Sequence, residues 1–104
     1  MNYTVTVLAS AKADLARLAD FLFEREILRD GDLDYAEHAV AAIEPSLTLL
    51  TRFPFTCRKA AESSVLRELV IPSGHTGYVA LFEIVASDSV VVSAIRHQRE
   101  DDYL

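Results

Sequence analysis

The sequence has one cysteine, no tryptophan, three glycines and three prolines in 104 residues. A lone thiol, Cys57, excludes an internal disulfide and fits a reducing compartment. No run approaches the roughly 18 uninterrupted apolar residues of a membrane-spanning helix. The opening residues Met1, Asn2, Tyr3, Thr4 and Val5 lack the basic and apolar regions of a signal peptide. A cytoplasmic protein without a membrane partner is expected. No glycine-rich phosphate loop, metal-ligand spacing or cofactor box is present, so no metal or cofactor is expected. Bases are scarce as well, with 10 Lys and Arg against 16 Asp and Glu, a net charge of −6. A domain that tracks nucleic acid usually carries a basic stripe. Here only local basic pairs occur, which disfavours broad nucleic-acid binding.

Apolar material is plentiful, at 51% of residues. A chain this short has room for one domain, residues 1–104, and one layered core. Surface-to-volume scaling leaves part of that material uncovered, which predicts an apolar surface awaiting another chain.

Residues 3–8 alternate Thr with apolar side chains and read as a strand. Ser10 stands where a helix N-cap belongs. Leu15, Leu18, Ala19 and Leu22 then follow at helical spacing, predicting an amphipathic helix to about residue 28. Arg29, Asp30, Gly31 and Asp32 make a turn. A second helical pattern runs through Ala36, Ala39, Val40, Ile43, Leu47 and Leu50, so the two form an antiparallel hairpin. Pro45 removes a donor inside that pattern and predicts a kink near residues 41–44. Phe53-Pro54-Phe55 ends the helix, and residues 56–64 read as a polar loop carrying Arg58 and Lys59. Three β-branched runs at 65–71, 78–85 and 90–95, separated by turn residues, read as a meander. The last run alternates poorly, which predicts a strand covered on both faces. The fold class expected is α+β, a helical hairpin on one face of a four-stranded, mainly antiparallel sheet.

The last strand runs into Arg96, His97, Arg99 and Tyr103, a cluster that does little for a core and is expected to face a partner or substrate. Together with the Leu50-x-x-Phe53-Pro54-Phe55 exit followed by Arg58, the Leu66-Arg67-Glu68-Leu69 run, the stretch from Gly77 to Ile84, and residues 90–97 with Arg99 beyond, the chain resembles the RelE/ParE superfamily of type II toxin–antitoxin toxins, also called plasmid stabilisation proteins. The resemblance spans essentially the whole chain. It implies a toxin neutralised by a cognate antitoxin whose tail wraps it, with growth arrest on release and scope for higher-order toxin–antitoxin assembly. One branch, RelE-like, cleaves messenger RNA on the ribosome. The other, ParE-like, binds and blocks DNA gyrase.

Metal-free RNA cleavage needs a base, an acid and cations for the phosphorane charge. His97, Arg99 and Tyr103 are the candidate catalytic groups under that reading. Yet the position after Tyr78, basic in the RelE-like branch, is Val79, and Glu100, Asp101 and Asp102 crowd the tail with negative charge. The ParE-like reading is therefore favoured, with Arg58, Lys59, Arg67, Arg96, His97 and Arg99 as candidate partner-binding residues. A family member that binds antitoxin without toxicity is a further alternative. Arg67 and Arg96 have competing structural roles as ion pairs to nearby carboxylates, and Tyr103 sits close to a chain end that frays easily. Cys57 has no neighbouring His set by sequence, although Arg58 and Lys59 would lower its pKa. His38 and His75 have no fixed spacing to other ligands.

Overall fold

In the computed structural model, which describes residues 2–28, 31, 38, 41–60, 63–73 and 76–97, the predicted meander is the centre of the molecule. It comprises β3 (Leu66–Ser73), β4 (Thr76–Ala86) and β5 (Ser89–His97), paired antiparallel in that order. The first strand, β1 (Thr4–Val7), lies parallel to β5, with Thr4 opposite Ser89 and Val7 opposite Val92. A two-residue strand, β2 (Arg58–Lys59), adds to the far edge, giving the order β1-β5-β4-β3-β2. The sheet thus has five strands rather than four. The extra one falls inside the stretch read as a polar loop, where Arg58 reaches Glu68 across the strands.

The long helix α1 (Ala9–Leu28) covers one face of the sheet. Its start differs from the N-cap expected at Ser10. The chain enters the helix at Ala9, the Lys12 amide bonds to the Leu8 carbonyl, and the Leu8 amide bonds to Val92 of β5 at 3.0 Å. Ser10 is thereby carried inside the first turn, and its hydroxyl donates to the Ser93 carbonyl at 2.7 Å instead of capping. At the other end the Gly31 amide returns to the Glu26 carbonyl at 2.7 Å, the long-reach bond of a Schellman ending. A Cβ on Gly31 would meet the tip of the buried Glu26 side chain, so a larger residue there requires that carboxylate to move.

The second helical pattern is described in part. Residues 38 and 41 are helical, and α2 runs Ile43–Leu47 into a 3₁₀ turn at Thr48–Thr51; the rest of the predicted pattern lies outside the described residues. The interruption falls at Ala42, within the expected 41–44, and its torsions of φ −73° and ψ −16° stay right-handed helical. Pro45, lacking an N–H, cannot bond back to residue 41, so a kink with helical torsions is what its ring permits. Pro54 opens a further 3₁₀ turn, Pro54–Thr56, after the exit.

Leu18, Leu22, Ile43, Leu47 and Leu50 from the helical layer bury against Ile71, Phe82, Val90, Val92 and Ile95 of the sheet. Each fully buried aliphatic or aromatic side chain contributes about 1.5–3 kcal/mol relative to exposure. The poor alternation of the last strand has a specific cause. Leu81 pairs with Ala94 while Phe82 pairs with Val92, so Ser93 is an inserted bulge residue that reverses the pleat. Val90, Val92 and Ile95 therefore all face the helices and are fully buried. The opposite side of β5 carries Val91, Ala94 and Arg96, each only partly buried. One face is sealed by the helices, as expected, and among the described residues no helix packs on the other. Beside β5 that open face presents Val79 and Leu81 of β4 and the exposed Val70 of β3.

Candidate functional site

The bulge decides how the strand end is held. Beyond Val92, β1 has ended, and among the described residues β5 has no strand on that side. Two residues one turn apart on α1 take its place: Ser10 donates to the Ser93 carbonyl, and Asp14 accepts from the Ile95 amide at 2.9 Å. Helix side chains thus satisfy backbone groups that a strand would otherwise meet. The strand runs on through His97, so Arg96 and His97 take opposite faces. His97 lies on the helix side, its ring edge-on to the buried Tyr78 at 5.7 Å and 89°. Arg96 lies on the open face opposite Val79. Both Arg96 and His97 are engaged by neighbouring groups. Arg99 and Tyr103 lie outside the described residues, as do His75 and the acidic residues of the tail.

The other named candidates sit elsewhere. Arg67 is level with Phe82 on β4, four residues along from Tyr78, and two strands across the sheet from His97. At about 3.3 Å per residue and about 4.8 Å per strand, the two groups are separated by roughly 15 Å. The Arg67 guanidinium donates to the Cys57 carbonyl at 2.7 Å and lies over the Phe55 ring at 5.2 Å. Arg58 is tied to Glu68 on the open face, and Lys59 stands directly opposite Arg67 on the helix side. The candidates therefore form two clusters rather than one. Cys57 also departs from expectation. Burial pushes its thiol above the ordinary value, outweighing the Arg67 guanidinium and a hydrogen bond from Thr56 that pull it down. That disfavours the thiolate a nucleophile needs. Among the described residues no three metal-ligating side chains come together.

A groove that no motif announced lies along the outer edge of β1. It has a volume of about 340 Å³, with Val5, Val7, Leu15 and Leu47 as its apolar floor and Lys12, Glu44, Thr48 and Thr51 around it. Thr4 and Leu8 direct their amides to β5, so Val5 and Val7 turn theirs toward the free edge. The Tyr3 amide on that edge donates to the Thr51 carbonyl, and the Val5 and Val7 amides have no partner among the described residues, so an apolar groove beside them suits an added extended segment. The Thr/Val alternation shows one face of β1 in the sequence, but the edge becomes visible only with the strand order.

A family model, the ParE toxin of type II toxin–antitoxin system, parDE, matches residues 5–102. The chain belongs to the ParE toxin family. Toxin RelE1 of Caulobacter vibrioides is 34% identical to this ParE-family chain over 100 residues, covering 96% of this chain and 98% of that protein. A structure of the chromosomal ParDE TA system from P. aeruginosa superposes with a TM-score of 0.69 at 18% identity, over 91% of this chain and 95% of that one. At that identity the superposition speaks for the fold. Fold and family together make the chain a type II toxin, one half of a toxin–antitoxin pair. No helix among the described residues is long and apolar enough to cross a membrane.

Proposed function

We propose that this ParE-family toxin acts by protein–protein binding, with DNA gyrase as its target, and that a cognate antitoxin holds it inactive. The observation that carries the reading is the state of the cations. Arg58 is spent on Glu68, Arg67 on two backbone carbonyls and the Phe55 ring, and Arg96 and His97 each have neighbours. A metal-free ribonuclease needs cations converging on one phosphate; among the described residues the candidates stand in two groups roughly 15 Å apart along the sheet. Val79 places an aliphatic side chain where the RelE-like branch carries a base. The β1 groove and the open sheet face of Val70, Val79 and Leu81 are the surfaces offered to the antitoxin.

The name of the Caulobacter relative favours a second reading, a ribosome-dependent endoribonuclease in which His97, Arg99 and Tyr103 act on mRNA. Induced expression separates the two. Arrest with a DNA-damage response supports gyrase, whereas rapid loss of translating messages that an His97→Ala, Arg99→Ala double variant abolishes supports the ribonuclease. A culture that grows normally removes both and leaves a chain that only binds antitoxin.

A further inference from the structure

The free edge of β1 is nearly its own complement. The strand reads Thr4-Val5-Thr6-Val7, and reversing it about Thr6 sets Val5 against Val7 and Thr6 against itself. The backbone has the same symmetry, since Val5 and Val7 both direct their N–H and C=O groups away from β5. Two such edges run antiparallel place Val5 of one copy opposite Val7 of the other, and each such pair can exchange both of its backbone bonds. Val5 and Val7 lie half-buried on the helix side, while Thr4 and Thr6 are exposed on the other. Valine then packs on valine and threonine on threonine, cross-strand pairs that stabilise a sheet.

The charges of the β1 groove repeat the pattern. Lys12 and Glu44 both line it and both are exposed. Neither side chain has an ion pair or hydrogen bond among the described residues, with the other or with anything else. Lys12 belongs to the Val7 end, its amide bonded to the Leu8 carbonyl. Glu44 stands one turn before Thr48 and leads to Thr51, whose carbonyl takes the Tyr3 amide at the opposite end. A two-fold axis through Thr6 exchanges those ends, bringing Lys12 of each copy to the Glu44 side of its partner. The Thr51 contact also fits the length of the pairing. In the antiparallel register Tyr3 falls opposite Ala9, where α1 begins and the chain leaves the sheet.

From these features we infer that the toxin free of antitoxin docks to a second copy of itself, β1 against β1, about a two-fold axis through Thr6. Charge complementarity selects that occupant. A segment of one sign would meet either Lys12 or Glu44 favourably and the other with like charge. A nucleic acid would find Lys12 as the sole cation of the groove among the described residues, in a chain of net charge −6. A second copy supplies both signs at matching places and covers an edge otherwise open to indiscriminate pairing. The inference adds to the reading above, in which an antitoxin takes this groove, a competitor that the antitoxin displaces. The choice between gyrase and ribosome does not enter.

The test uses the full chain, purified free of antitoxin, in sedimentation velocity and amide hydrogen exchange. The chain should show an equilibrium between 11.5 kDa and 23.0 kDa (2 × 11.5). The Val5 and Val7 amides should gain protection as concentration rises, while Ile95 stays unchanged. Lys12→Glu and Glu44→Lys, made singly, each set like charges at both symmetric contacts. Both variants should keep the native circular dichroism and dimerise at least roughly tenfold more weakly. Mixed in equal amounts, the two should pair with each other, because every contact then joins opposite signs. The double variant should recover self-association. A chain monomeric at its highest soluble concentration, a dimer whose Val5 and Val7 amides exchange as in the monomer, or single variants that dimerise undiminished or fail to pair when mixed would each overturn the proposal. None of these outcomes bears on the induced-expression test, so failure of the dimer and failure of the toxin reading are separate results.

Discussion

Replacing Asp14 by alanine tests whether the helix holds the end of β5. In the native fold the Ile95 amide sits beside a fully buried side chain and donates to the Asp14 carboxylate at 2.9 Å. No strand lies on that side among the described residues, since β1 ends at Val7. Asp14→Ala therefore leaves a partly buried donor without its acceptor. A hydrogen bond to a charged group contributes about 1.5–3 kcal/mol, and an orphaned donor costs about 1–3 kcal/mol. About 2 kcal/mol is the expected loss. For a domain near 100 residues that lowers Tm by roughly 10 °C, and it is a sizeable part of a total stability of about 5–15 kcal/mol. Asp14→Asn keeps an oxygen in the same place and should lose less than half as much. Thermal unfolding by circular dichroism gives the first number. Amide hydrogen exchange gives the second, with Ile95 exchanging about 30-fold faster in Asp14→Ala and close to normally in Asp14→Asn. If the alanine variant melts within about 2 °C of the parent and the Ile95 amide stays protected, helix α1 does not support the strand end and the account of the bulge fails.

Gly31→Ala should destabilise by about 1 kcal/mol, because the new methyl displaces the tip of the buried Glu26 side chain. Adding Glu26→Ala should recover part of that loss, and additive urea midpoints would refute the close approach. Cys57 should react with iodoacetamide at pH 8 more slowly in the native protein than in the urea-unfolded chain, since burial raises its pKa and restricts access; equal rates would contradict this. The sign for stability follows from the same direction. A thiol whose folded pKa is raised favours the native state fully below its unfolded value of about 8.5, and that contribution is lost as pH rises through the higher folded value. Cys57→Ser should flatten this alkaline decline in stability.

Much of the fold could be read from side-chain pattern. The Thr/Val alternation of β1, the spacing of Leu15, Leu18 and Leu22 on α1, and the three β-branched runs are local signals, and each produced the expected element. What escaped was set by distant contacts. Arg58 and Lys59 carry no strand signature; they are a strand because β3 and Glu68 lie beside them. Ser10 has the chemistry of a cap, but the Ser93 carbonyl competes for its hydroxyl from far along the chain. The bulge at Ser93 imitates a doubly apolar strand, since a reversed pleat and a two-sided strand give similar letter patterns. At the candidate site, Arg96 and His97 were legible as a strand end. That Arg67 would stand well apart from them was not, because the separation depends on strand order. Phe53-Pro54-Phe55 reads as a helix stop and as part of the family resemblance; that both rings stay exposed shows only in the folded chain.

The parallel pairing of β1 with β5 sets a clock on synthesis. Thr4 meets Ser89, which is made 85 residues later (89 − 4), and at roughly 5–20 residues per second a ribosome needs roughly 4–17 s to cover that distance. Until then the first strand has no neighbour, and the groove along its edge has no sheet behind it. Such distant pairing also slows folding. A newly started copy stays incompetent for its partners through most of its own translation, so the surfaces it offers them are completed late and together.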